Sequence, residues 1–292
     1  MERGYDVFMQ LYLYQLECIL SGNESLLNKI RFQSEEANTD EDLKLFFKDF
    51  MLNNDRLLPH YMFGVDFISD DGVCEQYDCA QFAGYKIEDV YLPNELTEEQ
   101  KELVKSQKSG AYTNPDILLL VSNGESQQYV SIELKSTKNN KIPGSSVQQV
   151  LPNEWVIFIQ HKLGRFRVAT GQYINSITNR LPFPDRSPRP EIGFNLLADW
   201  NMTNRKLQGD RLIIRRNHDE DSKKMLILSD WHNYLATEWL DTIKRESAIK
   251  GEKWFNHTIR LFALELLHYY DDLTNDEQQQ LRNSLQHLIG ND

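Results

Sequence analysis

Cysteine is scarce in this 292-residue chain, with Cys18, Cys74 and Cys79 the full set. An odd, sparse count excludes a disulfide framework as the main support of the fold. Cys74 and Cys79 have four residues between them and no second pair to complete a zinc site, so they read as structural thiols. The seven histidines do not cluster. His232, in Asp230-Trp231-His232-Asn233, has no partner at ligand spacing and reads as an ordinary helix residue. No run approaches the roughly 18 apolar residues of a membrane span, so no membrane partner is expected. The opening Met1-Glu2-Arg3-Gly4-Tyr5-Asp6 lacks the basic-then-apolar order of a signal peptide, which makes a cytoplasmic protein the expectation. Internal repeats, low-complexity stretches, a phosphate-cradling glycine loop and a nucleophile elbow are all missing.

Apolar residues are plentiful at 40%, enough for a sizeable core in one large domain or two modest ones. The net charge of −12 argues at first against a nucleic-acid partner. Its distribution argues the other way. Residues 1–110 carry 10 Lys/Arg and 22 Asp/Glu, residues 111–217 carry 14 and 8, and residues 218–292 carry 8 and 14. One basic block therefore lies between two acidic ones. A local basic surface can hold phosphates while acidic flanks weaken indiscriminate binding.

The same divisions organise the chain into a helical N-terminal part (1–110), a core with its loops (111–217) and a helical C-terminal region (218–292), expected to form one compact domain. Val7, Leu11, Tyr14 and Cys18 fall at helical spacing and predict a helix over about residues 5–20. Thr39 to Asp42 has the form of a capping box, and Leu43, Phe46, Phe47, Phe50 and Met51 continue as an amphipathic helix. Thr97 opens another helix, expected to stop at Gly110.

The pattern changes at Ile117-Leu118-Leu119-Leu120-Val121. This short apolar run, the Asn123-Gly124 turn and Tyr129 to Lys135 predict two antiparallel strands. Trp155 to Ile159 is continuously apolar and predicts a central strand, and Arg165 to Ile174 adds another. Pro143-Gly144-Ser145-Ser146 is expected to start a short helix between them. Residues 181–193, with Pro182, Pro184, Pro188, Pro190 and Gly193, read as a loop. Phe255, Ile259, Phe262, Leu266 and Tyr269 form a helical stripe near the end. The fold class expected is mixed α/β, a small central mixed sheet flanked by helices.

The residues with chemistry are Asp116, Glu133 and Lys135. Side chains alternate along a strand, so Val130, Ile132 and Leu134 point into the core while Ser131, Glu133 and Lys135 point the other way. Pairing as a hairpin brings Asp116, at the start of one strand, towards Glu133 on the next. Two carboxylates suit Mg²⁺, a hard cation that prefers oxygen ligands, and the Leu134 carbonyl is a further candidate ligand. An adjacent lysine can orient water or stabilise developing negative charge. This combination suits phosphodiester hydrolysis.

Pro115-Asp116 followed by Glu133-Leu134-Lys135 resembles the PD-(D/E)xK nuclease superfamily, and within it the type II restriction endonucleases. The resemblance covers roughly residues 110–160. It implies a restriction-endonuclease-like core, Asp116 and Glu133 as Mg²⁺ ligands, and Lys135 as the catalytic lysine. Many members add an acidic residue from an earlier helix, for which Glu17 and Glu75 are the candidates.

Residues that would hold DNA follow the motif. Ser136, Lys138, Lys141, Ser145, Ser146, Gln148 and Gln149 form a stretch rich in hydrogen-bonding groups. Arg165 and Arg167 form a second basic cluster with Lys162. Arg186 and Arg189 sit among the prolines, where a stiff backbone would present them for base reading. Arg211, Arg215 and Arg216 are expected at phosphates. The expectation is a Mg²⁺-dependent, sequence-specific endonuclease of double-stranded DNA, acting as a homodimer because a two-fold assembly cuts a symmetric site most simply. A repair, phage-defence or structure-specific nuclease is the nearest alternative. A non-catalytic DNA-binding protein or a plain interaction protein stands further off.

Overall fold

The computed structural model describes residues 3–30, 32, 41–58, 61–108, 114–147, 149–162, 164–178, 189–244 and 253–290. In chain order the helices and strands begin with α1 (Arg3–Gly22), α2 (Glu41–Asn53), β1 (Gly64–Ile68), β2 (Cys74–Asp78), β3 (Lys86–Tyr91) and α3 (Glu98–Gln107). Next come β4 (Ile117–Ser122), β5 (Gln127–Thr137), β6 (Lys141–Pro143), β7 (Trp155–Lys162), β8 (Arg165–Gln172) and β9 (Glu191–Gly193). They are followed by α4 (Phe194–Asn204), β10 (Arg205–Gln208), β11 (Arg211–Arg215), α5 (His218–Ser229), α6 (Trp231–Lys244), α7 (Lys253–Asp271) and α8 (Asn275–Ile289). The fold is mixed α/β. Two compact units divide the chain, Met1–Trp231 and His232–Asp292.

The central sheet of the first unit runs β3-β4-β5-β7-β8. Its β5–β7 pair is parallel and its other pairs are antiparallel, so the sheet is mixed. The Asn123-Gly124 turn forms as the sequence suggests. Asn123 Oδ1 accepts from the amides of Glu125 and Ser126 at 2.9 and 2.8 Å, and Gly124 adopts a φ of 91° that a side chain would resist. Alternation then sends apolar side chains to both faces. Ile117, Leu119 and Val121 join α1 in the main core, while Leu118 packs with Leu96 and Val104, the latter on α3. On β7, Trp155, Ile157 and Ile159 face that main core, and Phe158 meets Phe194 of α4 edge-on at 5.6 Å. Helices thus cover both faces, which is why β7 is apolar without interruption.

α1 is buried more widely than a single stripe predicts. Tyr5, Phe8, Met9, Tyr12, Leu13 and Leu16 are inaccessible along with Val7 and Leu11, whereas Tyr14 and Cys18 are only half-buried. The reason is that α1 shares one core with the central sheet and with Val65, Phe67, Leu212 and Ile214 of a second sheet, ordered β10-β11-β1-β2.

Several expectations are corrected. The stretch 1–110 is not wholly helical, since it supplies β1, β2 and β3. These segments are too short for a long period-2 pattern, and pairing of β1 with β11 and of β3 with β4 stabilises them. Pro143 to Ser146 starts no helix. Lys141 to Pro143 instead pair with Glu191 to Gly193, and the Gly144 amide donates to Pro190 O at 2.7 Å. The end of the proline-rich stretch is therefore a strand. Its residues 181–188, the Thr39 and Asp40 part of the expected capping box, and the expected stop at Gly110 lie outside the described residues. α3 is capped as expected by Thr97, which accepts from the Gln100 amide, and it ends at Gln107. Arg165 to Gln172 forms the expected strand, but Tyr173 to Ser176 turn into a 3₁₀ helix.

Candidate active site

β4 and β5 build the site. Their register pairs Ile117 with Ile132, which sets Asp116, one residue before β4, across from Glu133. Val130, Ile132 and Leu134 are buried on the core side, leaving Glu133 and Lys135 on the other face. Asp116 Oδ2 accepts the Leu134 amide at 3.0 Å, so its side chain extends the hairpin beyond the last backbone pair. Its other oxygen, Oδ1, lies 2.9 Å from Lys44 Nζ, delivered by α2. Asp116 and Glu133 are each only 8% exposed.

Glu133 Oε1 accepts from Lys135 Nζ at 2.6 Å and from Ser145 Oγ at very short range. The Ser145 amide in turn donates to Tyr173 Oη at 2.8 Å. Burial pulls the Lys135 ammonium down, but Glu133 and Asp116 outweigh it and hold the lysine above its ordinary value. Burial raises the Tyr173 phenol, as does Glu133, against the opposing pull of Lys135. Lys135 therefore stays a cation and Tyr173 stays neutral. A further pair stands close enough to be felt electrostatically. Glu154 Oε1 lies 2.7 Å from Lys108 Nζ, and both side chains are almost fully buried. Burial pushes the Glu154 carboxyl up to about 7, with Lys108 opposing the shift and Glu133 adding to it.

The donor chemistry suits a hard divalent cation. One carboxylate stands just before β4 and the other opposite it within β5, and Mg²⁺ commonly takes one or two carboxylates and fills the rest with water. Among the described residues no group of three or more His, Cys, Asp or Glu is gathered as a metal cluster. Asp116 and Glu133 are balanced instead by Lys44 and Lys135.

The residues expected at DNA are scattered in their roles. Ser145 joins the site through Glu133. Ser136 is half-buried on β5, Lys138 is exposed just beyond it, and Lys141 pairs with Glu191 at 3.0 Å. Ser146 is buried, and Gln149 is half-buried. Arg165 and Arg167 are exposed on β8. Arg167 donates to Asn195 Oδ1 at 3.1 Å and lies 4.8 Å from the Phe194 ring centre. Arg189 is exposed, while Gln148 and Arg186 lie outside the described residues. Beside β6 opens a cavity of about 660 Å³ whose lining sets Lys141, Lys223 and Lys224 beside Asp199, Asp219 and Glu220.

Glu17 and Glu75 are held elsewhere. Glu17 accepts from the Thr170 amide at 2.6 Å and from Arg205 at 2.5 Å, tying α1 to β8. Glu75 pairs with Arg3 at 2.5 Å on the second sheet. Arg211 bonds Asp66 and Asp78, both at 2.7 Å, and Arg216 lies 3.6 Å from Asp6, so these two serve internal ion pairs; Arg215 is exposed. Sequence reasoning missed Lys44, Lys108, Glu154 and Tyr173. Glu154 alone left a signal, as a carboxylate directly before a fully apolar strand. The other three reach the site only through tertiary packing.

No family model, curated protein or solved structure matches this chain. Among the described residues no helix is long and apolar enough to cross a membrane.

Proposed function

We propose that this protein is a Mg²⁺-dependent, sequence-specific endonuclease of double-stranded DNA, of the PD-(D/E)xK type and restriction-enzyme class, acting as a cytoplasmic homodimer. The observation that carries the reading is the meeting of Asp116, just before β4, with Glu133 and Lys135 within β5, Asp116 being hydrogen-bonded to the backbone between the other two. Asp116 and Glu133, with the Leu134 carbonyl, are the residues that would hold the cation. When bound, it would neutralise phosphate charge and acidify a water. Lys135, kept protonated by its two carboxylate neighbours, stabilises the charge that builds up as water attacks phosphorus. Ser145 and Tyr173 hold Glu133 in place. Lys138, Arg165 and Arg189 are exposed cations suited to DNA phosphates and bases.

The test is digestion of a long unmethylated DNA of known sequence, with Mg²⁺ or with chelator, by wild type and Glu133→Ala. Discrete fragments that need both the cation and Glu133 are expected. Absence of cutting by wild type across salt conditions and substrates removes the nuclease reading. Random fragments, or cutting confined to junctions, would move it to the repair or structure-specific class. The pairing of each carboxylate with a lysine favours a second reading, in which the cluster is structural and the protein binds DNA without cutting it. Binding with no metal-dependent cleavage would select that one.

A further inference from the structure

We propose that Lys44 is a built-in competitor for the divalent cation at Asp116, so that the cation binds only as the lysine withdraws; this rests on the metal-site reading above. Asp116 has both oxygens engaged. One accepts a backbone amide, which carries no net charge and does not repel a metal. The other lies 2.9 Å from the Lys44 ammonium, which does.

Lys44 is not a loose surface side chain. Leu43, Phe47 and Met51 anchor α2 in the core at complete burial, and the Lys44 side chain is only 19% exposed. One turn further along, Lys48 grips both oxygens of Glu95 at 2.5 and 2.6 Å. The anchored helix therefore places the ammonium beside Asp116, and only the side chain needs to turn away to release it. Charge balance points the same way. Asp116 and Glu133 carry two negative charges, and Lys44 and Lys135 supply two positive ones, so the cluster is neutral before any metal enters.

The two lysines are not equivalent. Lys135 shares a strand with Glu133, two residues away, and leaves it only by disturbing the site itself. Lys44 comes from a separate element and can release Asp116 without moving either strand. Removing its charge leaves the carboxylate pair one positive charge short, and a divalent cation fills that deficit. The structure thus assigns Lys44 the part of a charge that sets the cation requirement, distinct from the lysine of the motif.

The experiment is calorimetric titration of Mn²⁺, and separately of Mg²⁺, into wild type, Lys44→Met and Lys44→Arg without DNA at low salt. Circular dichroism melts check each fold, and Lys44→Gln substitutes if the Met variant does not fold. Lys44→Met is expected to bind at least about tenfold tighter than wild type, Lys44→Arg close to wild type, and the gain to vanish in Lys44→Met/Asp116→Asn. Equal or weaker binding by Lys44→Met, with wild type still binding, overturns the competitor role and leaves the metal site standing. Failure of every variant to bind either cation overturns both.

Discussion

Glu154 shares a buried ion pair with Lys108, yet it holds its proton more tightly than a free carboxylate does. Burial is the main reason, and the negative charge of Glu133 adds to it against the pull of Lys108. In the unfolded chain this group loses its proton near 4.5, and in the folded protein near 7. Between those values the folded state binds more protons, so its stability falls as pH rises through the window. Glu154→Gln removes the titrating group. The melting temperature of wild type relative to Glu154→Gln is therefore expected to be higher at pH 5 than at pH 7.5, by on the order of a few degrees. A difference that stays level across that range would show that burial does not set this proton affinity.

The connection from β6 into Ser145 shows how an element positions chemistry. It crosses the Tyr173 phenol closely enough that only glycine fits at position 144. A Cβ there would collide with Tyr173 Oη and lie 2.7 Å from Pro190 O. The close approach lets the Ser145 amide reach Tyr173 and its hydroxyl reach Glu133. Gly144→Ala is expected to lower stability by roughly 1–3 kcal/mol, read by urea denaturation. If the proposed nuclease activity is found, the variant should also depress it through the displaced Ser145. A variant as stable and active as wild type would mean that this segment is free to shift. The same segment marks where helix prediction failed. Pro143 and the two serines satisfy local helix-start preferences, but β9 offers backbone partners and Tyr173 a hydrogen-bonding group, and these tertiary bonds outweigh the local preference.

For the whole molecule, the charge blocks and the second compact unit set the expectations. The basic block of residues 111–217 contains the motif lysine and the exposed Arg165 and Arg167. The C-terminal unit leaves Phe262, Leu266, Leu267, Leu288 and Ile289 exposed on α7 and α8, an apolar surface of the sort that association buries. A homodimer is expected to sediment at about twice the 34.3 kDa chain mass. A single-chain mass would remove the proposed dimer.

Much of the central architecture was legible from local pattern. The β4–β5 hairpin followed from two apolar runs around Asn123-Gly124, and the outward pair Glu133 and Lys135 from alternation of side chains. The apolar continuity of Trp155 to Ile159 announced a strand covered on both faces. These are properties of neighbouring residues, and sequence by itself determines them. The partners of those residues belong to another class. Lys44 meets Asp116 across 72 residues of chain, Lys108 meets Glu154 across 46, and Tyr173 meets Ser145 across 28. No period or turn signal spans such distances. Only the packing of α2, α3 and the segment after β8 around the sheet decided which cations would face the carboxylates and which phenol would hold Ser145, because these contacts depend on distance in space and not on spacing along the chain.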